Sequence, residues 1–143
     1  MSGIATTVEP SEAFDAAVDR VTAALAAEGV GVVSRLDLDA TFNAKPGVDF
    51  RRCAILGGCN PKLAHDAVSA RPEVGLPPPC DVTVEETEAG TRLGIVDADA
   101  TPGVGGLGEA SEIASLAEDA RGRLGRVAAA LGARRRRAPQ GRR

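Results

Sequence analysis

"DVTVEETEAGTRLGIVD", Asp81 to Asp97, is the stretch on which the fold turns. Asp81 to Glu86 alternates, with Val82 and Val84 on one side, which is the two-residue period of a half-buried strand. Arg92 to Asp97 is a second strand, reached through "ETEAG", where Gly90 supplies the turn residue of a hairpin. An antiparallel hairpin here disfavours a doubly wound parallel sheet. It favours an α+β class in which helices pack on a mixed or largely antiparallel β-sheet in a single small domain.

The flanking segments fit that class. Gly3 to Val8 reads as an edge strand. Ser11 is placed to cap a helix whose apolar stripe is Phe14, Val18, Val21 and Leu25, and Gly29 ends that helix. Val30 to Asp39 reads as a strand, Asp39 as the cap of a single turn through Phe42, and Arg52 to Leu56 as a short strand stopped by Gly57 and Gly58. Asn60 and Pro61 open a helix to about Ala70, and "GLPPPC" imposes a stiff extended connection after it. Glu109 to Leu131 carries Ile113, Leu116, Ala120, Leu124, Val127 and Leu131 at helical spacing, with Gly122 and Gly125 weakening it by about 1 kcal/mol each relative to alanine.

Composition narrows the function. The 143 residues contain three phenylalanines as their only aromatics, so no platform exists for stacking bases or sugars. Twenty acidic residues face 17 basic ones, but Arg134 to Arg137, Arg142 and Arg143 supply six of these, leaving a body of net charge −9 beside a basic tail. The tail is expected to be solvated or to associate with the acidic body, with nucleic-acid contact the less favoured alternative. No apolar run is long enough to span a bilayer and no signal peptide is read. Three cysteines in such a chain look like cytosolic thiols, which points to a cytoplasmic protein.

The chemistry-bearing stretch is "CNPKLAH", Cys59 to His65. Asn60 and Pro61 form a helix start, so Cys59 lies just outside a helix N-terminus, where the dipole favours a thiolate, and Lys62 and His65 stand nearby on roughly one helix face. This makes Cys59 the expected reactive thiol of the three. Cys80 starts the Asp81 strand and is expected to approach Cys59 on the same rim of the sheet. Cys53 shares a side with Ile55 and is read as core. Cys53, Cys59, His65 and Cys80 lack zinc-knuckle spacing, and the identity of any metal or cofactor stays open. "GVGGLG", Gly103 to Gly108, matches a dinucleotide fingerprint in letters, but Ala128 stands where the second strand would need an acidic residue.

The glycine at Gly29, "LDLDATF", "VDF", the C-N-P-x-L-A block at Cys59 to Ala64 and the G-L-x-x-P-C block ending at Cys80 together resemble the DUF302 family of small bacterial and archaeal proteins, over approximately residues 4 to 131. The resemblance implies a compact α+β domain at residues 1–131 that forms homodimers, has no established reaction, and shares Cys59, Asn60, Pro61 and Cys80 as common positions. Residues 132–143 are then a basic, disordered tail. Pro77, Pro78 and Pro79 replace the leucines typical before the second cysteine, and "ATPGVGGLG" lacks the methionine often found there. The expected function is a non-catalytic binding module for a small ligand or metal, built on Cys59, Asn60, Lys62, His65 and Cys80. The alternatives are a thiol redox or sulfur-transfer enzyme with Cys59 and Cys80 as catalytic residues, and a dimeric structural or interaction module.

Overall fold

The hairpin at Asp81 organises the sheet. In the computed structural model, which describes residues 5–72, 81–96 and 111–132, β4 (Asp81–Thr87) and β5 (Gly90–Val96) pair antiparallel from Val82 opposite Ile95 to Thr87 opposite Gly90. The other strands are β1 (Ala5–Val8), β2 (Gly31–Asp37) and β3 (Cys53–Cys59), and all pairings are antiparallel in the order β1-β5-β4-β3-β2. The described helices are α1 (Phe14–Ala27), the short α2 (Leu38–Asn43), α3 (Pro61–Ala70) and α4 (Ser111–Ala130). This is the α+β class, with an antiparallel sheet.

Alternation places the core on one face. Ala54 and Leu56 of β3, Val82 and Val84 of β4, and Leu93 and Ile95 of β5 are buried against Phe14, Val18, Val21 and Leu25 of α1 and Leu124, Val127 and Leu131 of α4. Each fully buried leucine or valine stabilises the fold by about 1.5–3 kcal/mol relative to exposure, so these facing stripes hold the two layers together. The opposite face carries one cross-strand row through all five strands: Leu36, Ile55, Thr83, Gly94 and Thr7. Leu36 and Thr83 stand exposed on it, and no described helix covers them.

Four local expectations change. First, α1 starts at Phe14 behind Ala13, which makes no side-chain cap bond, because residues 10–12 are engaged elsewhere. The Pro10 carbonyl accepts from the Thr91 amide at 3.1 Å and the Glu12 carbonyl from Thr91 Oγ1 at 2.8 Å, which straps this segment to the β4–β5 turn. Second, β3 runs through Gly57 and Gly58 to Cys59. Gly58 is buried on the helix face, and the Ser34 hydroxyl occupies the space that a Cβ on Gly57 would need, so these glycines pack a strand they were expected to stop. Third, Cys53 does share a face with Ile55, but that face is the uncovered one, opposite Glu85. Its thiol is only partly buried, so it lies outside the helix-packed core. Fourth, α2 starts behind Asp37, so that Asp39 lies within its first turn and its carboxylate accepts from the Cys53 amide at 3.2 Å instead of capping the helix.

Candidate binding site at the β3–α3 corner

Asn60 builds the corner as the sequence predicts and does more. Its Oδ1 accepts from the Leu63 amide at 3.0 Å, capping α3 with Pro61 at the first helical position. Its Nδ2 donates to the Gly29 carbonyl at 2.9 Å. Gly29 ends α1 at φ +72°, and a Cβ there would come to 3.1 Å from Asn60 Nδ2 and 3.2 Å from Arg123 Nη1. Arg123 Nη1 donates to the Glu28 carbonyl at 2.6 Å and Arg126 Nε to the Glu28 carboxylate at 2.8 Å. The end of α1, the start of α3 and one side of α4 therefore converge on Gly29. Both polar atoms of Asn60 are used inside the fold.

Cys59 closes β3 and shares the uncovered face with Gly57. Gly57 is flanked there by Ser34 of β2 and Asp81 of β4, its direct partners on either side. Asp81 Oδ1 lies 3.8 Å from the position of a Cβ on Gly57. Burial pushes the Asp81 carboxyl above its ordinary range, and no described donor reaches it. The Ser34 hydroxyl thus fills the place of a side chain at Gly57, next to the Asp81 carboxyl, with the partly exposed Cys59 two residues along the strand. Such a patch can accept hydrogen bonds from a small polar ligand.

Nucleophilic chemistry at Cys59 has less support, because no described base hydrogen-bonds to its sulfur. Lys62 is exposed on α3. The His65 side chain is 82% exposed and turns Nδ1 towards Asp66 Oδ1 at 3.6 Å. Among the described residues no group of three histidine, cysteine, aspartate or glutamate side chains is arranged to hold a metal. Cys80, its approach to Cys59, the "GVGGLG" segment and the arginine tail lie outside the described residues. Cys53 sits at the far end of β3, where burial and then the Glu85 carboxylate push its thiol up. Sequence reading missed Ser34 and Asp81. The side-chain parity of Asp81, Thr83 and Glu85 was readable, but the register that puts Asp81 beside Gly57 comes from strand pairing.

Among the described residues no helix is long and apolar enough to cross a membrane. No functionally curated protein matches the chain. The crystal structure of an uncharacterised conserved DUF302 protein from Bacillus stearothermophilus has the same fold, with a TM-score of 0.77 at 24% identity over 91% of this chain and 99% of that one. The family model described as a domain of unknown function, DUF302, matches residues 5–131, and with the Gly29–Asn60 corner and the five-stranded sheet inside that span the chain belongs to the DUF302 family.

Proposed function

We propose that this domain is a non-catalytic binding module whose small polar ligand lies on the uncovered sheet face at Cys59, Gly57, Ser34 and Asp81. The observation that carries the reading is the Asp81 carboxyl, partly buried without a described donor, beside the Ser34 hydroxyl that lies over Gly57. A ligand bearing N–H or O–H groups would replace solvent at this acceptor, each hydrogen bond to it contributing about 0.5–1.5 kcal/mol net, or about 1.5–3 kcal/mol where the carboxyl is charged. A metal-bound version requires Cys80 to complete the donor set, since the described residues hold no three-ligand group. The thiol-exchange alternative also depends on Cys80.

The test is iodoacetamide labelling of Cys59 in the Cys53→Ser/Cys80→Ser chain, as isolated and again after passage through denaturant. A retained ligand slows labelling several-fold in the first sample only, and Asp81→Asn abolishes the difference. Equal rates before and after, unchanged by Asp81→Asn, would sink the proposal.

The same face supports a homodimer as a second reading. Leu36 is 50% exposed beside Ile55, and Val33, at the irregular step in the β2–β3 register, is 72% exposed on an edge strand. A second copy seated on this face would cover the row from Leu36 to Thr7. Sedimentation at micromolar concentration checks it: a monomer in the native chain, with no change on Leu36→Lys, contradicts the reading.

A further inference from the structure

At the end of the sheet opposite Cys59 lies an open cleft of about 640 Å³, walled by the β4–β5 turn and the segment after β1. Its charges divide into two sets. Arg92 pairs through Nε with Glu9 at 2.8 Å and through Nη1 with Glu85 at 3.5 Å, and Arg51 Nε pairs with Glu85 at 2.7 Å, so both guanidinium groups are engaged. Glu86 and Glu88 also line the cleft and are exposed; neither forms an ion pair with a described residue, although Glu86 lies within electrostatic reach of Arg52, whose carbonyl accepts from the Glu86 amide at 2.8 Å. Four glutamates against two arginines leave the lining net acidic, with the carboxylates that lack an ion pair at the turn.

The end of α4 is linked to this cleft through a relay of hydrogen bonds. The Leu131 carbonyl accepts from Arg20 Nη2 at 3.5 Å, and Arg20 also pairs with the Glu12 carboxylate. The Glu12 carbonyl accepts from Thr91 Oγ1, and Thr91 is itself part of the cleft wall. Leu131 is therefore joined to the cleft wall through the Arg20 side chain and then the side chain and backbone of Glu12. Residues 133–143 follow, with Arg134 to Arg137, Arg142 and Arg143 among them. Eleven residues extend up to roughly 35 Å, which exceeds the length of this relay.

We propose that the arginine run of residues 134–143 docks in cis onto the acidic cleft of the β4–β5 turn, pairing with Glu86 and Glu88. The cleft supplies carboxylates without an ion pair within reach of the basic segment that follows α4, and guanidinium groups form paired hydrogen bonds with carboxylates. The outer face of α1 competes less well: the Asp15 carboxylate there is already held by Arg52 at 2.9 and 3.1 Å. Docking makes the tail a self-ligand that salt or a competing polyanion releases.

The test compares amide NMR spectra of the full chain with those of the R134Q/R135Q/R136Q/R137Q variant at low salt. The proposal predicts shift changes several-fold larger at Glu86, Glu88 and Arg92 than at Asp15 and Asp19. These changes vanish at about 1 M salt, where screening acts within roughly 3 Å, and Glu86→Gln/Glu88→Gln in the tail-intact chain reproduces them. Changes centred on α1, or none in the body, overturn it. It also fails if a short DNA duplex shifts the tail arginines while the turn responds to neither the duplex nor the tail substitutions.

Discussion

The Asn60 amide donates to the Gly29 carbonyl at 2.9 Å, so the helix cap of α3 is also the clasp that holds the end of α1. Both residues belong to the blocks that carry the family resemblance, and the bond gives them one shared structural task. Asn60→Ala removes the cap, worth about 0.5–2 kcal/mol, together with a hydrogen bond worth about 0.5–1.5 kcal/mol. Asn60→Ser keeps a capping oxygen and loses only the clasp, so urea denaturation should give a loss of stability roughly half that of Asn60→Ala. An Asn60→Ser protein as stable as the native chain would mean that the clasp contributes nothing, and equal losses would mean that the cap does not.

Glycine substitutions separate packing from helix propensity. A Cβ on Gly90, at φ +146°, would lie 2.6 Å from the Pro10 carbonyl oxygen and 2.7 Å from the Ser11 carbonyl carbon, so Gly90→Ala must open the strap or strain the turn, at a cost of about 1–3 kcal/mol. Gly125 is exposed in α4 with nothing within 4 Å, and Gly125→Ala is expected to stabilise by about 0.5–1 kcal/mol. Thermal melts of the two variants should move in opposite directions.

That contrast marks what was legible in the sequence. The stripe Phe14, Val18, Val21, Leu25, the alternation around Val82 and Val84, and the Asn60–Pro61 helix start are local patterns, and each is realised. Gly57 and Gly58 read as a stop because glycine is locally permissive, yet both pair within β3; the reason is Ser34 on one side and the helices on the other, neither of which is a sequence neighbour. Ser11 does not cap α1, because Thr91, about 80 positions away, holds the carbonyls of its neighbours Pro10 and Glu12. Asp81 joins the site through strand register. Local rules thus gave the elements, and long-range contacts chose the residues that face the candidate ligand.

Stability should respond to acid in opposite ways at two carboxylates. The Arg52 guanidinium beside Asp15 holds that carboxyl below its ordinary range, so its contribution is present above pH 3.8 and is lost as pH falls through the lowered value. Burial raises the Asp81 carboxyl, so the fold is most stable with it protonated and loses stability as pH climbs from 3.8 through the raised value. Asp81→Asn should therefore gain on the native chain as pH rises from 3 to 7. Asp15→Asn should lose less than the native chain on acidification. Urea midpoints across this range check both signs, and parallel curves for all three proteins would refute them.

The Cys53 thiol gives a further prediction. Burial and the Glu85 carboxylate both push the Cys53 thiol up, so at pH 7 it should alkylate more slowly than an unstructured cysteine. Glu85→Gln should bring its pH profile down. Peptide-resolved alkylation rates from pH 6 to 10 measure this, and an unshifted Cys53 profile in the Glu85→Gln protein would remove the charge effect.

The most direct measurement of the central claim is native mass spectrometry of the full chain, isolated from cells grown without added metal or ligand, beside its denatured mass. A binding site at Cys59, Gly57, Ser34 and Asp81 predicts a mass excess in the native protein that disappears on denaturation. The excess should also be absent from Asp81→Asn and persist in Glu86→Gln/Glu88→Gln, whose changes lie at the other end of the sheet. A native mass equal to that of the bare chain, or an excess that survives Asp81→Asn and Cys59→Ser together, would contradict it.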